Sequence, residues 1–128
     1  MPAIVSYAVH LLTASVLLVV FFLVYTWITP IDEILLIRQG NNAAALSLGG
    51  ALIGFSLTLA SSLLHTSSYV EFLGWGVGSM VVQVLAYAIT CRLLRISKEH
   101  IESGNTAFGG LMGAISISIG AINAGCIS

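Results

Sequence analysis

The sequence predicts an all-α integral membrane protein of four transmembrane helices, arranged as two parallel-repeat helical hairpins, and three observations lead there. With 58% hydrophobic and 7% charged residues and a mean hydropathy of +1.05, the chain lacks the charged surface that a water-exposed fold of this length needs. Four apolar runs, at 3–28, 43–64, 72–94 and 106–127, take up nearly the whole chain, and each is near the ~20 residues that cross a hydrocarbon core. The segment from Gly40-Asn41-Asn42-Ala43 to Ala60 returns as Gly104-Asn105-Thr106-Ala107 to Ala124, with Gly49/Gly113 and Ile53/Ile117 also shared. Such self-similarity reads as a single transmembrane domain over residues 1–128 with an internal repeat of approximately 1–64 and 65–128.

The first run is too long for a secretory signal, has no basic region before it, and ends in Thr26-Trp27-Ile28-Thr29-Pro30 rather than in a cleavable small-residue site. It therefore reads as a retained span. Its stretch from Val16 to Val24 has no small residue, which suits a lipid-facing position. After it, Thr29-Pro30-Ile31-Asp32 has the cap, proline and acid that start a helix. Ile31, Ile34 and Leu35 share one face of this short helix, which is expected to lie in the membrane interface, either as a simple turn through the headgroups or as a docking surface for a cytoplasmic protein partner.

Asn41 and Asn105 precede the second and fourth spans as N-caps. Ser68-Tyr69-Val70-Glu71 precedes the third as a capping box. Tyr7, Tyr25, Trp27, Tyr69 and Trp75 stand near run ends, where aromatic rings anchor a helix in the headgroup layer. The basic residues fall in alternate connections, Arg38 after the first span and Arg92, Arg95 and Lys98 around the connection after the third. The positive-inside rule puts these in the cytoplasm and both termini outside it. Cys91 then lies near the cytoplasmic end of the third span and Cys126 near the outer end of the fourth.

Close helix contact in lipid needs small residues. Gly109, Gly113, Ser116, Gly120 and Ala124 keep to one face of the fourth span, and their repeat equivalents in the second are Ala45, Gly49, Leu52, Ser56 and Ala60. These stripes predict that spans two and four form the centre, with span one outside. A second small-residue face on span two, with Ala43, Ser47, Gly50, Gly54, Thr58 and Ser61, either packs within the chain or joins copies into a homo-oligomer. A parallel repeat differs from the inverted repeats common in alternating-access transporters.

Polar groups within the spans are few: His10, Gln83 and Asn123 stand out, with Thr13, Thr58 and Thr90. Gln83, at mid-span, is expected to face protein and hydrogen-bond another helix, whereas His10 and Asn123 lie toward the outer ends, where water reaches. Asn41 and Asn105 have two readings. They cap helices, or their two N-termini form an anion or lipid-headgroup site with Arg38, Arg92 and Arg95.

Gly40-Asn41-Asn42-Ala43-Ala44-Ala45 with Gly49, Gly50 and Gly54, echoed by Gly104-Asn105-Thr106-Ala107 with Gly113, resembles the YjfL-like uncharacterised bacterial inner-membrane proteins grouped as domain of unknown function 350. The resemblance spans essentially the whole chain. It implies a multi-pass protein of the bacterial inner membrane built from paired units, and brings no reaction with it.

Neither a phosphate-binding loop, a metal-spaced His/Cys/Glu cluster nor a serine elbow occurs in the sequence, so no enzyme activity, metal or cofactor is expected. Four basic residues do not make a nucleic-acid track. The expected partners are the lipid bilayer and a homo-oligomer or a cytoplasmic protein. The function read from these features is a non-catalytic packing or partner-binding component of a membrane assembly, in envelope maintenance. The alternative is a small oligomeric channel or transporter for ions or a small solute.

Overall fold

A computed structural model describes residues 3–28, 33–93 and 103–127. Within them the chain forms α1 (Ala3–Ile28), α2 (Glu33–Arg38), α3 (Asn42–His65), α4 (Tyr69–Leu93) and α5 (Thr106–Cys126). All but α2 are long and apolar enough to cross a membrane. This is an all-α integral membrane protein.

Glycine and asparagine set the helix boundaries. At the end of α2, Gly40 adopts φ +83°, its N–H donates to the Ile37 carbonyl at 2.9 Å, and the Asn41 N–H donates to the Leu36 carbonyl at 2.9 Å. That is a Schellman ending, which needs a left-handed residue at Gly40. The next residue, Asn41, starts α3 by accepting a hydrogen bond from the Ala44 N–H through its side chain at 3.1 Å. The same pair recurs before α5, where Gly104 has φ +78° and Asn105 accepts from the Phe108 N–H at 3.4 Å. Before α4, Ser68 accepts from the Glu71 N–H at 3.1 Å, but the Glu71 carboxylate takes the Ser67 N–H at 3.3 Å rather than that of Ser68. The capping box is displaced by one residue on its return bond.

Helix α3 is the centre of the bundle. Its most apolar window is 56% buried against 11% for that of α1, and its contact with α5 is the most extensive in the molecule. Peripheral α1 buries Leu17, Phe21 and Tyr25, spaced four residues apart, and packs Ala14, Leu18 and Phe22 partly buried against the same core. Phe21 stacks on Phe55 with ring centroids 4.5 Å apart, and Tyr25 meets Tyr87 edge-on at 5.0 Å. Tyr25 is thus a core residue and not an interface anchor, because its place in the four-residue series puts it on the buried face. Tyr7, Trp27 and Trp75 are exposed. On α2 the inward residue is Leu36, packed against Ala43 and Ala44, whereas Ile34 and Leu35 face outward. The predicted cap at Thr29 and the adjoining Ile31 lie outside the described residues.

Candidate functional site

The densest meeting of sequence-predicted positions is the seam between α3 and α5. A Cβ added at Gly109 would strike the Ala43 backbone, one at Gly113 the Leu46 carbonyl, and one at Gly120 the Gly54 backbone. From the other side, a Cβ at Gly50 would strike Gly113 and one at Gly54 the Ser116 carbonyl. The helices therefore touch backbone to backbone. Contacts climb together along the two helices, from Ala43 with Gly109 through Gly50 with Gly113 to Gly54 with Gly120, so α3 and α5 run parallel.

Polar side chains are used across this seam. The Thr58 hydroxyl is 3.1 Å from both its own Gly54 carbonyl and the Gly120 carbonyl of α5, and Ser61 donates to the Ala124 carbonyl at 2.6 Å. From α4, the Gln83 Nε2 donates to the Ser116 carbonyl at 2.9 Å, and the side chain is only 2% exposed. Such bonds between membrane helices contribute on the order of 0.6 kcal/mol each. Their larger effect is to fix which faces meet, since a polar group left against lipid is costly.

Three predicted packing residues lie off the seam. Ala45 and Ser56 are exposed, Gly49 is half-buried, and a Cβ at Gly49 meets nothing within 4 Å. Ser56 returns its hydroxyl to the Leu52 carbonyl of its own helix at 2.8 Å. The reason is rotational. Repeat alignment pairs Gly49 with Gly113, but the side of α3 turned to α5 is the neighbouring face of Ala43, Gly50, Gly54, Thr58 and Ser61, which leaves the Ala45 and Gly49 side outward. There, together with Gly110 and Ala114 of α5, it lines a shallow groove of about 310 Å³.

At the other predicted site, Asn41 and Asn105 each direct Oδ1 to a backbone amide of the helix they begin. Packing of Gly109 on Ala43 sets the two N-terminal turns side by side. Arg38 and Arg92 are exposed side chains, and Arg95 lies outside the described residues. The asparagine oxygens are thus committed to capping.

His10 occupies a separate place, in a cleft between α1 and the end of α3. Its Nδ1 is 2.7 Å from the Ser6 carbonyl and 3.3 Å from the Ser6 hydroxyl; a carbonyl only accepts, so the tautomer that fits this contact has its hydrogen on Nδ1 and leaves Nε2 as the acceptor. The ring lies 5.9 Å edge-on from Tyr69 and 5.8 Å from Phe72, and the Tyr69 hydroxyl is 2.9 Å from that of Thr13. By sequence Tyr69 is an interface anchor and Thr13 one of the sparse polar groups within the spans; the i, i+3 spacing of His10 and Thr13 is the signal that joins them on one face. Asn123 is half-buried with Nδ2 lacking a protein partner, as is Oε1 of Gln83. Among the described residues, no group of three His, Cys, Asp or Glu side chains is placed to hold a metal ion.

Comparison with known proteins fits this membrane architecture. The family model Domain of Unknown Function (DUF350) matches residues 1–127. The UPF0719 inner membrane protein YjfL of Escherichia coli (strain K12) is 28% identical over 128 residues, covering 100% of this chain and 97% of that protein. The UPF0719 transmembrane protein YshE of Bacillus subtilis (strain 168) is 29% identical over 117 residues, covering 90% of this chain and 87% of its own length. No solved structure matches the chain. The chain belongs to the domain of unknown function 350 family.

Proposed function

We propose that this member of the domain of unknown function 350 family is a non-catalytic component of an inner-membrane assembly, joining copies of itself or a partner in maintenance of the envelope. The observation that carries the reading is the outward small-residue stripe of α3. Ala45 and Gly49, with Gly110 and Ala114 across the groove, have no close packing task inside the chain, whereas the adjacent face is filled by α5. Small residues facing lipid permit the close backbone approach on which membrane helix association depends. The Escherichia coli relative is named an inner membrane protein, which supports the inner membrane as the location. The placement of Arg38, Arg92, Arg95 and Lys98 supports cytoplasmic basic connections and external termini.

The second reading, a small oligomeric channel or transporter, draws on one feature of the same face: Ser56 is exposed there, so copies gathered along α3 would turn hydroxyls toward a shared axis. Native mass measurement of the protein extracted in mild detergent, beside a Gly49→Leu variant, tests both readings. The assembly reading expects more than one copy, or a stoichiometric partner, in the parent and loss of it in the folded variant. A ring of parent chains that carries ions in vesicles would replace it with the channel reading. A parent that is monomeric and partner-free would remove both.

A further inference from the structure

The cleft beside His10 is amphipathic along the direction of the helices. Its volume is about 440 Å³, within the roughly 300–1,000 Å³ of small-molecule sites. Ser6, Tyr7, His10, Leu11, Leu63, Thr66 and Ser67 line it, and of these Leu11 lies farthest from the end of α1 and Leu63 farthest from the end of α3. The leucines belong to helices long enough to span the membrane, and the cleft sits at the end of the bundle where α3 gives way to α4. An occupant must therefore offer hydrocarbon to one part of the wall and hydrogen-bonding groups to the other.

The polar part is rich in acceptors. With Nδ1 committed to the Ser6 carbonyl at 2.7 Å, the distal His10 edge presents the Nε2 lone pair. The Thr66 hydroxyl is spent as a donor to the Ser62 carbonyl at 2.6 Å, which leaves its lone pairs. Ser67, on the rim, holds the Glu71 carboxylate through its N–H at 3.3 Å and its hydroxyl at 3.5 Å, so a negative charge stands beside the opening. Among the described residues the two basic side chains, Arg38 and Arg92, stand in the last turns of α2 and α4, at the other end of the bundle. The complement to such a rim is a cation bearing N–H donors on an amphiphile.

We propose that the cleft between α1 and the end of α3 seats one phospholipid with a primary ammonium headgroup, the ammonium donating to His10 Nε2 beside Glu71 and an acyl chain lying along Leu11 and Leu63. Nitrogen methylation tests this without altering the protein. Phosphatidylethanolamine and phosphatidylcholine share the phosphodiester and chains, but only the former has N–H donors. Native mass measurement of the full chain, in micelles doped with equal amounts of the two at matched chain length, should show at least tenfold preferential retention of one phosphatidylethanolamine. A His10→Leu variant should lose that preference, and His10→Gln, whose amide oxygen still accepts, should recover part of it. A Leu63→Trp variant, filling the apolar wall, should lose retention of the lipid altogether. Equal retention of the two lipids by the parent overturns the proposal whether or not any variant folds. A preference that survives in a folded His10→Leu protein overturns it as well, by placing the lipid elsewhere.

Discussion

Paired glycine-to-alanine substitutions isolate the contribution of the α3–α5 contact. At Gly113 a methyl group would enter the Leu46 carbonyl and lie 3.7 Å from the Gly50 Cα; neither is a flexible side-chain end, so the helices must separate. At Gly49 the same methyl meets nothing within 4 Å. Both positions are mid-helix, so the gain of about 1 kcal/mol in helix propensity on going from glycine to alanine enters both measurements and cancels in their difference. What remains is overpacking, about 1–3 kcal/mol, equivalent to a roughly 5- to 140-fold difference in folding equilibrium at about 1.4 kcal/mol per factor of ten. Unfolding of both variants in mixed micelles, followed by helical circular dichroism as the fraction of denaturing detergent rises, should place Gly113→Ala below the parent relative to Gly49→Ala by that amount. Equal midpoints, or greater damage at Gly49, would refute the assignment of faces.

The helix starts and the topology yield further expectations. Asn41→Ala and Asn105→Ala should each lower stability by about 0.5–2 kcal/mol in the same unfolding assay, with the smaller loss at Asn105, whose bond is 3.4 Å rather than 3.1 Å. Gly40→Ala forces a Cβ into φ +83° and should cost about 1–2 kcal/mol. For topology, Cys126 is free and exposed, and the side chain of Cys91 lies outside the described residues. A membrane-impermeant thiol reagent on intact cells should label Cys126 in a Cys91→Ser protein and leave Cys91 unlabelled in a Cys126→Ser protein; the reverse pattern would invert the orientation.

Hydropathy and cap chemistry made the spans legible, because both act locally. The run at 43–64 became Asn42–His65, the run at 72–94 became Tyr69–Leu93, and the caps at Asn41 and Asn105 stand where the sequence put them. Helix rotation was not legible in the same way. The repeat identifies Gly49 and Gly113 as equivalent positions, but equivalence is not contact, and the face of α3 that meets α5 was chosen by Gly50, Gly54 and the Thr58 and Ser61 hydroxyls reaching across to Gly120 and Ala124. Tyr25 shows the same limit from another side. A tyrosine near the end of an apolar run fits the headgroup layer by depth alone, and only its alignment with Leu17 and Phe21 places it against Tyr87. The His10 cleft needs α1 and α3 to be neighbours, which no spacing within one helix encodes.

The central claim, that α3 and α5 lie side by side and parallel, is tested most directly by crosslinking in native membranes. In a Cys91→Ser, Cys126→Ser background, an Ala45→Cys, Gly110→Cys pair faces one shared groove, whereas Gly125 lies 15 residues beyond Gly110 on α5, or about 22 Å along the helix at 1.5 Å per residue. A short thiol crosslinker should shift the electrophoretic mobility of the monomer for the Ala45→Cys, Gly110→Cys chain and leave the Ala45→Cys, Gly125→Cys chain unchanged. Crosslinking of the second pair with none in the first would show the two helices antiparallel and contradict the account.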